Sequence, residues 1–158
     1  MHVRFFRLII SLDSKKFFKG DKKPYADHRF YPAALSANLQ MYLRNGDVFF
    51  DIETTGLSWR TSHLYLIGAL FFDPAADTFT LRQWFLDRPT EEKEMLVSFF
   101  TFLSDVKRLV HFNGTTFDLP YLTHKALFYQ MEDRFRQSHP WIFIRHSARF
   151  SQSWDFLQ

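Results

Sequence analysis

Residues 48–57 run Val48, Phe49, Phe50, Asp51, Ile52, Glu53, Thr54, Thr55, Gly56, Leu57: an apolar stretch, two carboxylates two positions apart, then a polar turn. A short run rich in Val, Phe and Ile has the pattern of a central strand. Along a strand, positions i and i+2 point to the same side. The chain therefore sets Asp51 and Glu53 side by side at the end of a buried strand. Like charges at that distance repel strongly unless neutralised, and a divalent cation with oxygen ligands is the usual neutraliser.

The surrounding pattern fixes the fold class. After the strand at 48–53 and a turn at 54–56, residues 64–72 and 78–86 read as two more strands. The short connection that opens on Asp73 and Pro74 makes them an antiparallel hairpin. Thr90 reads as a helix N-cap, with Glu91, Glu92 and Glu94 in a first turn whose dipole favours acids. Met95, Leu96, Phe99, Phe100, Leu103 and Val106 follow the helical period. Residues 108–113 form a fourth strand, and the helix before it implies a crossover and parallel pairing with the first strand. A turn at 114–116 leads into a helix near 117–130, in whose first turn Pro120 is tolerated. A last strand is expected near 153–157. The sum is an α/β fold, a mixed sheet of three antiparallel strands followed by parallel ones, flanked by helices. Sites in such sheets lie at the carboxyl ends of parallel strands. Asp118, just past the fourth strand, would join Asp51 and Glu53 there.

Residues 1–46 are less regular. Residues 1–10 suggest an edge strand, 19–32 a loop punctuated by Gly20, Pro24 and Pro32, and 33–44 a short helix before the Asn45–Gly46 turn. This segment holds nine Lys/Arg against three Asp, a local balance of +6, whereas residues 47–158 hold eleven against fourteen, a balance of −3. A basic extension beside an acidic site suits a polyanionic partner; a solvated surface segment is the plain alternative. We read 1–46 as a basic N-terminal extension and 47–158 as the domain.

The 158 residues have room for one domain with a real core, and the 21 Phe are expected to fill it. With no Cys, disulfides and Cys-ligated zinc are excluded. The same absence suits a reducing compartment, and no apolar run approaches the roughly 20 residues that span a bilayer. Arg7 interrupts the apolar start, which makes it a poor signal peptide. The expectation is a cytoplasmic protein without a membrane role.

Asp51-Ile52-Glu53-Thr54-Thr55-Gly56-Leu57 resembles the first motif of the DEDD, or DnaQ-like, 3′–5′ exonucleases of the ribonuclease H-like superfamily. His111-Phe112-Asn113-Gly114-Thr115-Thr116-Phe117-Asp118-Leu119-Pro120-Tyr121-Leu122 resembles the second motif, with wording closest to the YprB-type ribonuclease H-like domain of bacteria. The likeness covers about 47–158 and leaves 1–46 unexplained. It implies a metal-dependent exonuclease that hydrolyses phosphodiester bonds at single-stranded DNA or RNA 3′ ends with two Mg²⁺ or Mn²⁺ ions. In that reading Asp51 bridges the ions, Glu53 holds the one that carries the attacking water, and Asp118 holds the other. Thr54, Thr55, Leu57 and Asn113 would meet or position the terminal nucleotide, or else simply build their turns.

The resemblance also implies a fourth acid with a nearby His or Tyr, in a third motif beyond residue 158. The stretch is thus expected to be the front part of such a domain, with little activity alone. Two alternatives stay open: a non-catalytic nucleic-acid-binding module of the same fold, and the proofreading domain of a DNA polymerase. His111 reads as a core histidine. Arg134, Arg136, Arg145 and Arg149, with Trp141 and Phe143, would either track a nucleic-acid backbone or form a solvated face.

Overall fold

The computed structural model describes residues 25–30, 37–106, 108–111, 116–131 and 144–145. Strands are β1 (Tyr25–Phe30), β2 (Asp47–Thr54), β3 (Leu64–Asp73), β4 (Thr78–Phe85), β5 (Arg108–His111) and β6 (Ile144–Arg145). Helices are α1 (Ala37–Arg44), α2 (Glu92–Leu103) and α3 (Asp118–Phe128). The six strands form one sheet in the order β1-β4-β3-β2-β5-β6. β2 is antiparallel to β3 and parallel to β5, and β5 is parallel to β6. The expected hairpin and the parallel crossover are both present. None of the described helices is long and apolar enough to cross a membrane.

The alternation of β2 decides where the site can lie. Val48, Phe50 and Ile52 face a core shared with Met95, Leu96, Phe99, Phe100 and Leu103 of α2 and Tyr121, Leu122 and Ala126 of α3. Phe49 faces a smaller cluster with Leu43 of α1, Leu70, Phe79, Leu81 and Val110. By the two-residue period, Asp51 and Glu53 continue the Phe49 side beyond its last apolar residue. Asp51 lies opposite Gly68 of β3, so no β3 side chain stands directly beside it.

Among the described residues, most Phe side chains lie in the core or pack against it, as expected. Trp84 is fully buried, with ring centroids 5.2 Å from Phe99 and from Phe102 and 5.8 Å from Tyr25. Its Nε1–H donates to Ser98 Oγ at 3.0 Å, tying β4 to α2. Ser98→Ala strips that donor of its acceptor and is expected to cost about 1 kcal/mol. Urea denaturation reads it; an unchanged midpoint would count against this bond.

Two expectations need correction. Tyr25–Phe30, placed within a loop, is a strand paired along its whole length with residues 79–84 of β4. Its charges hide it from a hydrophobic-period reading. Asp27 sits directly across from Arg82, which donates to both carboxylate oxygens at 2.6 and 2.7 Å and lies 4.0 Å over the Tyr25 ring. Cross-strand pairs of this kind stabilise a sheet without apolar alternation. Before residue 46, β1 pairs with β4 and Leu43 of α1 packs in the cluster with Phe49. Thr90 is not an N-cap: Pro89–Glu91 is a 3-10 turn, and α2 starts at Glu92. Pro89 pre-sets that turn, and the Arg88–Glu91 ion pair closes it.

The short helix expected at 33–44 is seen as Ala37–Arg44, and Gly46 at φ 89° makes the left-handed exit that only Gly takes freely. The sheet's sixth strand is Ile144–Arg145, whereas the strand expected at 153–157 and the edge strand expected at 1–10 lie outside the described residues.

Candidate metal centre

β2 and α3 supply three carboxylates to one end of the sheet. Asp51 and Glu53 come from the carboxyl end of β2, and Asp118 is the first residue of α3, 6 % exposed. They feel one another. Burial, then the charges of Asp118 and Glu53, push the Asp51 carboxyl up to about 7. Burial and then Glu53 push Asp118 up to about 7 as well. Burial also raises Glu53. The neighbouring Tyr65 hydroxyl is raised by burial and by the Glu53 charge. Asp118 and the Asp51–Glu53 pair thus lie on different elements, yet share one electrostatic field.

The turn after Glu53 is tightly built. Thr54 Oγ1 donates to the Gly56 carbonyl at 2.8 Å. Thr55 N–H donates to His63 O, and His63 N–H donates to Thr55 Oγ1, both at 2.9 Å. Both hydroxyls are therefore used in the turn, which is the plainer of the two roles expected for them. A Cβ on Gly56 would meet Ser62 Cβ at 3.3 Å, so glycine permits the close approach there. Leu57, by contrast, packs on almost nothing and is 88 % exposed. Asn113 lies outside the described residues, as do Arg134, Arg136, Arg149, Trp141 and Phe143. His111 is buried, edge-on to Phe50 at 6.2 Å. His124 stacks on Trp59 at 4.9 Å.

A comparison with protein families matches residues 48–152 to the RNase H superfamily. This chain belongs to that superfamily. No curated protein matches it. RNase H-like nucleases use divalent metals and bind nucleic acid. The donor set of this RNase H superfamily chain suits such an ion: three carboxylates, all oxygen donors, whose mutual repulsion a hard cation relieves. Among the described residues, no three or more His, Asp or Glu side chains stand close enough together to hold a metal ion as they are placed. The fit rests on donor type, shared edge and electrostatics.

Sequence reasoning missed a second cluster in this superfamily domain. Glu92 was grouped with Glu91 and Glu94 as a dipole-favoured acid, but it is 0 % exposed. Burial alone would raise its pKa; Leu64 N–H, Tyr129 OH and Lys125 together hold it below the ordinary value. Nothing in the local sequence separates Glu92 from its neighbours. The one usable signal was helical phase, since Glu92 lies on the same face as Met95, Leu96 and Phe99.

Proposed function

We propose that this chain is a cytoplasmic, metal-dependent 3′–5′ exonuclease domain acting on single-stranded DNA or RNA ends. The observation that carries the reading is the joint field of Asp51, Glu53 and Asp118 at the carboxyl edge of the sheet. Asp51, Glu53 and Asp118 would hold two Mg²⁺ or Mn²⁺ ions. Such ions supply Lewis acidity toward the scissile phosphate and a bound water of lowered pKa. The protein's own part would be to fix three carboxylates on two elements at one edge of the sheet, where a cation would relieve their repulsion.

The test is release of mononucleotides by the full-length protein from 3′-labelled and 5′-labelled single-stranded DNA and RNA, with Mg²⁺, Mn²⁺ or EDTA; the 158-residue stretch alone is expected to show little activity. Stepwise shortening from the 3′ end that EDTA abolishes supports the proposal. Internal cleavage, or none with either ion, would overturn the exonuclease reading.

Leu57 is the substrate-facing member of the motif turn in this reading. Because it is exposed, Leu57→Ala should leave the melting temperature unchanged. Losing one apolar contact of about 1 kcal/mol should raise the oligonucleotide KM roughly fivefold with little change in kcat. An unaltered KM would remove Leu57 from the nucleotide site.

A further inference from the structure

The acidic site depends on the relative placement of β2 and α3, and one buried polar cluster ties them together. Glu92 Oε1 accepts from Leu64 N–H at 2.7 Å, and Glu92 Oε2 accepts from Tyr129 OH at 2.7 Å and Lys125 Nζ at 3.0 Å. Lys125, 3 % exposed, also donates to the Ser62 carbonyl at 2.8 Å. Ser62 Oγ lies 2.9 Å from Tyr121 OH, 2.9 Å from the Gly56 carbonyl and 2.7 Å from the Ser58 carbonyl. His63 Nδ1 stands 3.5 Å from Glu92 Oε2 at the rim.

These contacts have a direction. Residues 54–63 leave the carboxyl end of β2 immediately after Glu53. Tyr121, Lys125 and Tyr129 form one i, i+4 row, three on α3 and its exit, and Phe117, one residue before Asp118, begins the same row, 5.6 Å ring to ring from Tyr121. Whatever fixes this row fixes the rotation and axial position of α3, and hence where Asp118 stands. Whatever fixes Ser62 fixes the loop that Glu53 opens. A buried ion pair seldom adds much net stability, but it specifies one arrangement because every alternative strands a charge.

The geometry points to Glu92 and Lys125 as positioning residues for the acidic site: through Ser62 and Tyr121 they lock the 54–63 loop to α3 and so set the spacing of Asp118 from Asp51 and Glu53. This rests on the proposed metal reading only for its functional consequence. Neither residue would touch metal or substrate.

Two pair variants separate positioning from bulk stability. Glu92→Gln with Lys125→Met removes both charges and the tie to Ser62 O. Glu92→Gln with Lys125→Gln removes the charges but keeps a donor for that carbonyl. In the Met pair, amide exchange at Thr55, Ser62 and His63 should quicken about tenfold while Leu81 of β4 and Phe99 of α2 keep their protection. Mn²⁺ affinity, read by titration, should fall about tenfold, the usual effect of losing support behind metal ligands. The Gln pair should restore both to within about threefold of the parent.

Unchanged loop exchange in the Met pair overturns the inference, as does loss of protection spread evenly over the sheet. Should the Met pair not fold, Ser62→Ala reads the same point, with faster exchange at Thr55 and His63 expected and parental exchange overturning it. A parent protein that takes up no Mn²⁺ would sink the metal reading, and the exchange measurements would still decide the positioning role.

Discussion

Asp51→Asn in the full-length protein is expected to lower metal-dependent hydrolysis by roughly a thousandfold, the effect of about 4 kcal/mol of lost transition-state stabilisation, while making the metal-free protein more stable. The two effects have one origin. Asp51 sits between the charges of Asp118 and Glu53, and its carboxyl is pushed up to about 7 by burial and by those neighbours. A neutral amide relieves the repulsion but donates no anionic oxygen to a cation. Each unit of raised pKa costs about 1.4 kcal/mol in the ionised state. Part of that cost is shared with the partners, so a gain of about 2 kcal/mol at pH 8 is expected. Denaturant titration in EDTA measures the gain, and single-turnover hydrolysis in Mg²⁺ measures the loss. Full activity in Asp51→Asn would remove Asp51 from the ligand set. Reduced stability would show that its carboxylate is compensated in solution.

The second large effect is a pH-dependent response to divalent ions. The carboxyl groups of Asp51 and Asp118 have ordinary values of 3.8 and rise to about 7 in the fold. The folded protein therefore binds more protons than the unfolded chain between about pH 4 and pH 7, so this contribution to stability is greatest at low pH and declines as pH rises through that window. Above pH 7 the full repulsion is present. Mg²⁺ relieves it there, but must compete with protons below.

At 100 times its dissociation constant, an ion that binds only the folded state adds about 2.7 kcal/mol. That corresponds to a melting-temperature rise of roughly 5–10 °C for a chain of this size. The rise should be present at pH 8 and largely absent at pH 5.5. It should also vanish in Asp51→Asn with Asp118→Asn, which controls for every other carboxylate. An equal rise at both pH values, or in the double variant, would place the ion elsewhere.

The legible parts of this molecule are those governed by short-range geometry. Asp51 and Glu53 share a side because strands alternate, and Asp118 reaches them because a parallel crossover brings β5 beside β2. The hairpin of β3 and β4 followed from its turn residues. The strand β1 escaped because Asp27 and Arg29 break the apolar alternation, and its stabilising partner, Arg82, is 55 residues away. Thr90 looked like a cap because its side chain is the right type; Pro89 had already fixed the turn. Beyond its helical phase, nothing marked Glu92 as a buried group, because its partners Lys125 and Tyr129 come from α3 and its exit, more than 30 residues on. Local chemistry names candidate residues, and only the tertiary arrangement says which of several alike is desolvated.

β1, one of the two outer strands of the sheet among the described residues, has a bearing on how this chain behaves in a crowded solution. With 21 Phe in 158 residues, exposed backbone at a sheet margin invites copies of the chain to add strand upon strand into fibrils. Asp27, His28 and Arg29 occupy that margin. A second copy adding to β1 would have to desolvate these polar and charged groups and disturb the Asp27–Arg82 bidentate pair. Wherever that margin meets another copy of the chain, the charges that conceal β1 in the sequence would act as gatekeepers against strand addition.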